Sequence, residues 1–216
     1  MKHIVPAIIP ESLDHLRESL FAVRPFTREV QVDIVDGKFV PFTSWPYLPG
    51  ASIEDLALFT PTFTIEVDLM LMEPEEVIPL YRRFGVKKIV VHAESTKNLP
   101  RIFAQRRDLG FELGLSIHND SPLSVLTDHM KEIDYVQLMG IAHIGSQGQP
   151  FDERVLGKIS ELRKSHPNLT ISIDGSVNRE TLPRLVGAGA SRCVSGSAIL
   201  KAENPEVAYR GLADLW

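Results

Sequence analysis

Cysteine is almost missing from this chain: one residue, Cys193, in 216. A lone thiol cannot form an intramolecular disulfide, and inside the apolar run RCVSG it reads as a small core residue. No apolar run approaches the roughly 20 residues that a membrane helix needs. The opening MKHIVPAIIPES is too short in its apolar part for a secretory leader and has no small-residue cleavage pattern, so the cytoplasm is the expected compartment. Basic residues are neither abundant nor massed: 23 Lys and Arg stand against 28 Asp and Glu, for a net charge of -5. That balance offers no stripe for nucleic acid and no patch for an anionic membrane. G-x-G-x-x-G is absent, as is any Cys/His spacing of a structural zinc site, which removes the support for a dinucleotide cofactor. No linker, charge block or low-complexity stretch interrupts residues 1–216, so a domain boundary has no obvious place to fall.

What is present is an alternation of short β-branched runs with longer segments of helical period. The strand candidates are 3–8, 29–34, 62–70, 87–92, 111–117, 134–139, 169–174 and 191–196. Helices are expected over 11–23, 52–58, 74–84, 97–108, 122–130, 151–165 and 179–188, with a last one from 205. Ser121 before Pro122, and Asn178 ahead of Arg179 and Glu180, read as helix starts. Eight strand-plus-helix units close most simply into a single α/β domain, a (β/α)8 TIM barrel; the competitor is a doubly wound open sheet.

In such a barrel the active site lies at the carboxyl ends of the strands. VQVDIVDGKFVP and LTISIDGSVNRE each run an apolar strand into an Asp and a turn, placing Asp33 and Asp174 at two distant strand ends. Two carboxylates so placed can move protons on opposite faces of one small substrate. The residue two before Asp33 is Gln31, and no His adjoins either acid. On the third strand Thr64, Glu66, Asp68 and Met70 share a face, which must look into the barrel because the other face packs under helices. His92, His118 and His143 fall at or beyond later strand ends. If a nitrogen-rich metal site exists, those three are the credible donors. Gly145–Ser146–Gln147–Gly148, Gly175–Ser176 and Gly196–Ser197 supply backbone N–H groups and hydroxyls that can cradle a phosphate without lysine, or else they only make turns. Met70 and Met139 either line the pocket or, as Met72 also could, fill the core.

VDIVDGKFVPFTSW, DLMLMEPEEVIPLYRRFGVKKIVVHAES, IDYVQLMGIAHIGSQGQPF and ISIDGSVNRETLPRLVGAGASRCVSGSAIL together resemble the ribulose-phosphate 3-epimerase family, in order and over nearly the whole chain. The resemblance implies an isomerase that interconverts ribulose 5-phosphate and xylulose 5-phosphate. It further implies that Asp33 and Asp174 shuttle protons at carbon 3 and that the three glycine loops hold the phosphate. His92 matches a family position near the substrate.

The departures are as specific as the matches. The family resembled here binds a divalent metal through two His and two Asp, and at the two His positions this chain has Gln31 and Asp68. A Ser near the substrate is represented by Pro10, and the loop after strand six reads AHIGSQGQ. Three readings of this altered site stay open. Gln31, Asp33, Asp68 and Asp174 form an all-oxygen set suited to magnesium or manganese rather than zinc or iron. Without a metal, a neutral Asp68 and the Gln31 amide donate hydrogen bonds to the enediolate. In the third, the chain is a non-catalytic phosphosugar-binding barrel or acts on another sugar phosphate. Decarboxylase chemistry of related barrels, which use D-x-K-x-x-D, finds no lysine in Asp68–Glu73. The expected partner is a small phosphorylated sugar, and the aromatic loop around Trp45 and Tyr47 points to a homo-oligomer or to a lid on its own barrel.

Overall fold

The computed structural model describes residues 3–145 and 148–216. Eight parallel strands close in chain order into a barrel: β1 (His3–Ile8), β2 (Glu29–Val35), β3 (Thr64–Met70), β4 (Lys88–His92), β5 (Glu112–Ile117), β6 (Tyr135–Met139), β7 (Ile171–Asp174) and β8 (Arg192–Ser195). Every expected strand is present, and the open-sheet alternative is excluded because β8 pairs with β1. The helices are α1 (Leu13–Val23), α2 (Ile78–Arg83), α3 (Leu99–Leu109), α4 (Ser124–Thr127), α5 (Arg154–Ser165), α6 (Leu182–Ala188), α7 (Ser197–Leu200) and α8 (Pro205–Ala213).

Three helices differ from expectation for identifiable reasons. The segment expected as a helix at 52–58 is a 3-10 turn, Ile53–Leu58. The stretch 74–84 is broken into a 3-10 turn, Pro74–Glu76, and α2, because Pro79 lacks the N–H that would bond back to the preceding turn. The helix at 122–130 shrinks to the single turn of α4, and Ser121 does not cap it: its hydroxyl donates to Glu94 instead. Asn178 does accept from the backbone N–H of Glu180 and Thr181 ahead of α6. No described helix is long and apolar enough to cross a membrane.

Strand alternation separates two environments. Outward residues such as Val32, Val67, Val91, Leu115, Leu138 and Ile173 pack under Leu16, Leu20, Ile102, Ile159, Leu162 and Leu185 of the surrounding helices in one continuous core. Cys193 is part of that core, as its context suggested. Inward residues are largely polar. Low in the barrel, the buried Arg192 guanidinium meets Glu66 Oε1 at 2.8 Å and donates to Ser172 Oγ at 3.0 Å, while the Tyr135 hydroxyl donates to Glu66 Oε2 at 2.6 Å. Gly114 makes room for Tyr135: a Cβ there would fall 2.4 Å from its ring.

Trp45 corrects the reading of the loop after β2. It is fully buried, its backbone N–H donates to the Pro10 carbonyl, and it packs into the barrel's own core. The aromatic loop therefore gives no argument for a homo-oligomer.

The ion pair inside the barrel generates a prediction. Glu66→Ala leaves the buried Arg192 with the more distant Glu29, 3.7 Å away, as its carboxylate partner among the described residues, and should cost about 3–5 kcal/mol in urea unfolding. Arg210→Ala, which removes an exposed pair with Glu206, should cost under about 1 kcal/mol. Similar losses for the two variants would contradict the assigned role of the interior pair.

Candidate active site

Register brings the acids together. In β2 and β3 Asp33 lies beside Asp68, and in β6 and β7 Met139 lies beside Asp174. Each side chain points inward because its strand neighbours point out. Oxygens of Asp33, Asp68 and Asp174 consequently lie within 4.8 Å of one another.

Hydrogen bonds divide the cluster in two. The Gln31 amide Nε2 donates to Asp33 Oδ1 at 2.9 Å and to Asp174 Oδ2 at 3.0 Å, so both its N–H groups are occupied. Asp68 is held by other donors: Gln137 Nε2 at 2.9 Å and His92 Nε2 at 3.1 Å. Gln137 was missed in the sequence, although the alternation of YVQLM sets it on the inward face with Tyr135 and Met139. These partners correct the metal-free reading of the sequence. Gln31 has no N–H left for substrate, and Asp68 accepts on both oxygens.

Burial sets the protonation of the remaining acids. It raises the Asp33 carboxyl well above the ordinary range, and the neighbouring charges of Asp174 and Asp68 add to the effect, against the Gln31 hydrogen bond. Asp174 is pushed up to about 7, again by burial first and Asp68 second, with Gln31 and the Gly175 N–H opposing. Near neutral pH the pair therefore holds a proton that ordinary carboxylates would have lost. Burial works against the charged form of His92, but the Asp68 carboxylate more than offsets it and raises the imidazole.

The metal of the resembled family does not fit this cluster. Neither Gln31 nor Asp68 offers a nitrogen ligand, and the Gln31 group turned toward Asp33 and Asp174 is an N–H donor, which repels a cation. The oxygens are near enough for magnesium or manganese, which would have to displace the Gln31 and Gln137 amide donors.

Beside Asp33 and Asp174 opens a cavity of about 230 Å³, below the roughly 300–1,000 Å³ of pockets for drug-sized ligands and so suited to a small molecule. Met70 and Met139 line it, as do Gly145, Gly148, Gly175, Ser176, Gly196 and Ser197 from the three expected loops. Ser146 and Gln147 lie outside the described residues. The β6 and β7 ends approach so closely that a Cβ on Gly140 would fall 2.1 Å from the Gly175 carbonyl oxygen. There Gly140 N–H donates to the Asp174 carbonyl at 2.6 Å, which fixes the end of β7. Gly175 and Ser176 then both take left-handed backbone, φ 94° and 53°. Two positions differ from the sequence reading. His92 is wholly buried behind Asp68 and does not line the cavity, and the β1 residue that does is Ala7 rather than Pro10. His143 is exposed, apart from the buried polar groups.

A closed eight-stranded barrel with paired, proton-holding acids and three glycine turns at the carboxyl ends of its strands defines a (β/α)8 barrel with a candidate acid/base site. The ribulose-phosphate 3 epimerase family model matches residues 3–200, and the chain belongs to that family. Among curated relatives, ribulose-phosphate 3-epimerase of Bacillus subtilis is 34% identical over 178 residues, covering 79% of this chain and 78% of the relative. The chloroplastic ribulose-5-phosphate-3-epimerase of Arabidopsis thaliana is 32% identical, covering 97% of this chain and 75% of the relative. Among solved structures, KGPDC from Streptococcus mutans superposes with a TM-score of 0.75 at 16% identity, covering 100% of this chain and 97% of that one. A 3-hexulose-6-phosphate synthase does so with 0.73 at 15% identity, covering 100% and 99%. At such identities these structures share the fold alone.

The raised acids make stability depend on pH with a definite sign. A carboxyl whose folded pKa exceeds its unfolded value binds more protons when folded, so stability falls as pH rises from about 4 to 7. Asp174→Asn should flatten that profile and stabilise the protein above pH 7 by on the order of 3 kcal/mol. Parallel urea-unfolding profiles for variant and wild type between pH 4 and 8 would overturn the assignment.

Proposed function

We propose that this barrel epimerises a small phosphorylated ketose of the ribulose 5-phosphate kind, with Asp33 and Asp174 exchanging protons on opposite faces of the carbon beside the carbonyl. One observation carries the reading: a single buried amide, Gln31, hydrogen-bonds both acids and holds them as a pair at the cavity that Gly145, Gly175 and Gly196 also line. Family membership supports the same reaction class.

A two-base epimerase requires one acid ionised and its partner protonated at the same moment. Like-charge crowding and burial favour that mixed state, since the first ionisation opposes the second. The ionised acid removes the proton. The enediolate that forms has the neutral acid of the pair as its nearest donor, and protonation from that side inverts the carbon. Gln31 orients both acids without reacting. Met70 and Met139 keep an apolar wall against the carbon skeleton, and the glycine loops offer backbone N–H groups to the phosphate. Met70 also counts against the decarboxylase chemistry of the D-x-K-x-x-D barrels, because the inward position two residues after Asp68, where that motif has its lysine, carries no cation.

Ribulose 5-phosphate incubated with the protein in deuterated water tests this by NMR. Carbon 3 should acquire deuterium while xylulose 5-phosphate accumulates, and Asp33→Asn or Asp174→Asn should each slow exchange by roughly 10²- to 10⁴-fold. Retained sugar-phosphate binding with no exchange in the wild type would make the chain a binding barrel instead.

A further inference from the structure

A second cluster lies where β4 and β5 end, outside the cavity described above. One nitrogen each of His92 and His118 and one Glu94 oxygen fall within 4.8 Å of one another. Two buried ring nitrogens there, His92 Nδ1 and His118 Nε2, have no hydrogen-bond partner. Buried polar atoms are ordinarily satisfied, so two orphaned ring nitrogens among three converging side chains call for a shared occupant.

We infer that His92, Glu94 and His118 form a binding site for a borderline divalent cation of the zinc class. Two imidazoles and one carboxylate are the ligand types such ions prefer, and three protein ligands leave one coordination position for water or a small ligand. The surroundings suit the role. Asp68 lies 3.1 Å from His92 Nε2 and leaves Nδ1 as the nitrogen for a metal, the arrangement in which a carboxylate orients a metal-binding histidine. Glu94 is fixed by the His118 backbone N–H at 2.8 Å and by the Ser121 hydroxyl. Phe39 packs against both imidazoles, with ring centroids 5.5 and 5.6 Å away, and limits access of water. The nearby Lys158 ammonium donates to the carbonyls of His118 and Ser121, at 3.0 and 2.6 Å, and its charge works against the cation. The site is separate from the acid pair and does not depend on the reaction proposed above.

Cobalt(II) alone, titrated into chelator-treated and dialysed full-length protein, is the probe; d–d absorption and zinc competition are the readouts. One equivalent should bind with the spectrum of a nitrogen-ligated ion. His118→Ala and Glu94→Gln should lose more affinity than the roughly 10- to 100-fold expected for Asp68→Asn, whose carboxylate acts through His92. His143→Ala and Asp174→Asn should bind as the wild type does. Unchanged far-UV dichroism confirms that each variant is folded, and Glu94→Gln, at an exposed position, stands in should His118→Ala fail to fold. Absence of saturable binding would overturn the inference, as would binding that survives His118→Ala and Glu94→Gln but disappears in Asp174→Asn.

Discussion

Three carboxylates share the upper interior of this barrel, and everything near them is arranged around the difficulty of burying like charges together. Asp33 and Asp68 are almost wholly out of water, and Asp174 stands against them. Isolated ionised carboxylates in such a place would be prohibitively costly, so each must be hydrogen-bonded, paired or protonated. All three devices are in use. Gln31 bridges two of the acids, Gln137 and His92 hold the third, and the pair that Gln31 bridges takes up a proton.

The lower interior meets the same difficulty by a different route. Glu66, one inward position below Asp68 on β3, is matched by a buried arginine and a tyrosine hydroxyl. A full ion pair there fixes the charge and gives a stable, chemically inert layer. Above it, neutral amide donors hold the acids without fixing a charge on them. That difference makes the upper layer able to exchange protons while the lower one cannot.

Much of this could be read in the sequence, and the reasons are local. Alternation across EVQVDIV and TIEVDLM has a strict period of two, so both the strands and their inward faces were legible. The glycine loops were legible because left-handed backbone at Gly175 leaves little choice of residue. Helix lengths were less so, since Pro79 and the one-turn α4 depend on what surrounding elements leave room for. The loop around Trp45 left two readings open in the sequence, a contact with another copy or packing on its own barrel, because aromatic content says nothing about which side of a loop meets the barrel. Orientation was the other hidden quantity. His92 sits at a strand end as expected, yet its ring faces Asp68 and not the cavity, a choice made by a contact with the neighbouring strand.

With Gln31 and Asp68 facing the acid pair, the ring nitrogens near these acids belong to His92 and His118. A histidine at position 68 would present a ring nitrogen to Asp33 and Asp174. An aspartate there accepts from His92 instead, on the next strand, and commits that ring's Nε2. With Nε2 occupied by Asp68, Nδ1 is the ring nitrogen left without a partner. Asp68 therefore does two things: its charge crowds the proton-exchanging acids, and it commits one nitrogen of the His92 ring that borders the His118 and Glu94 cluster. The same carboxylate belongs to both arrangements.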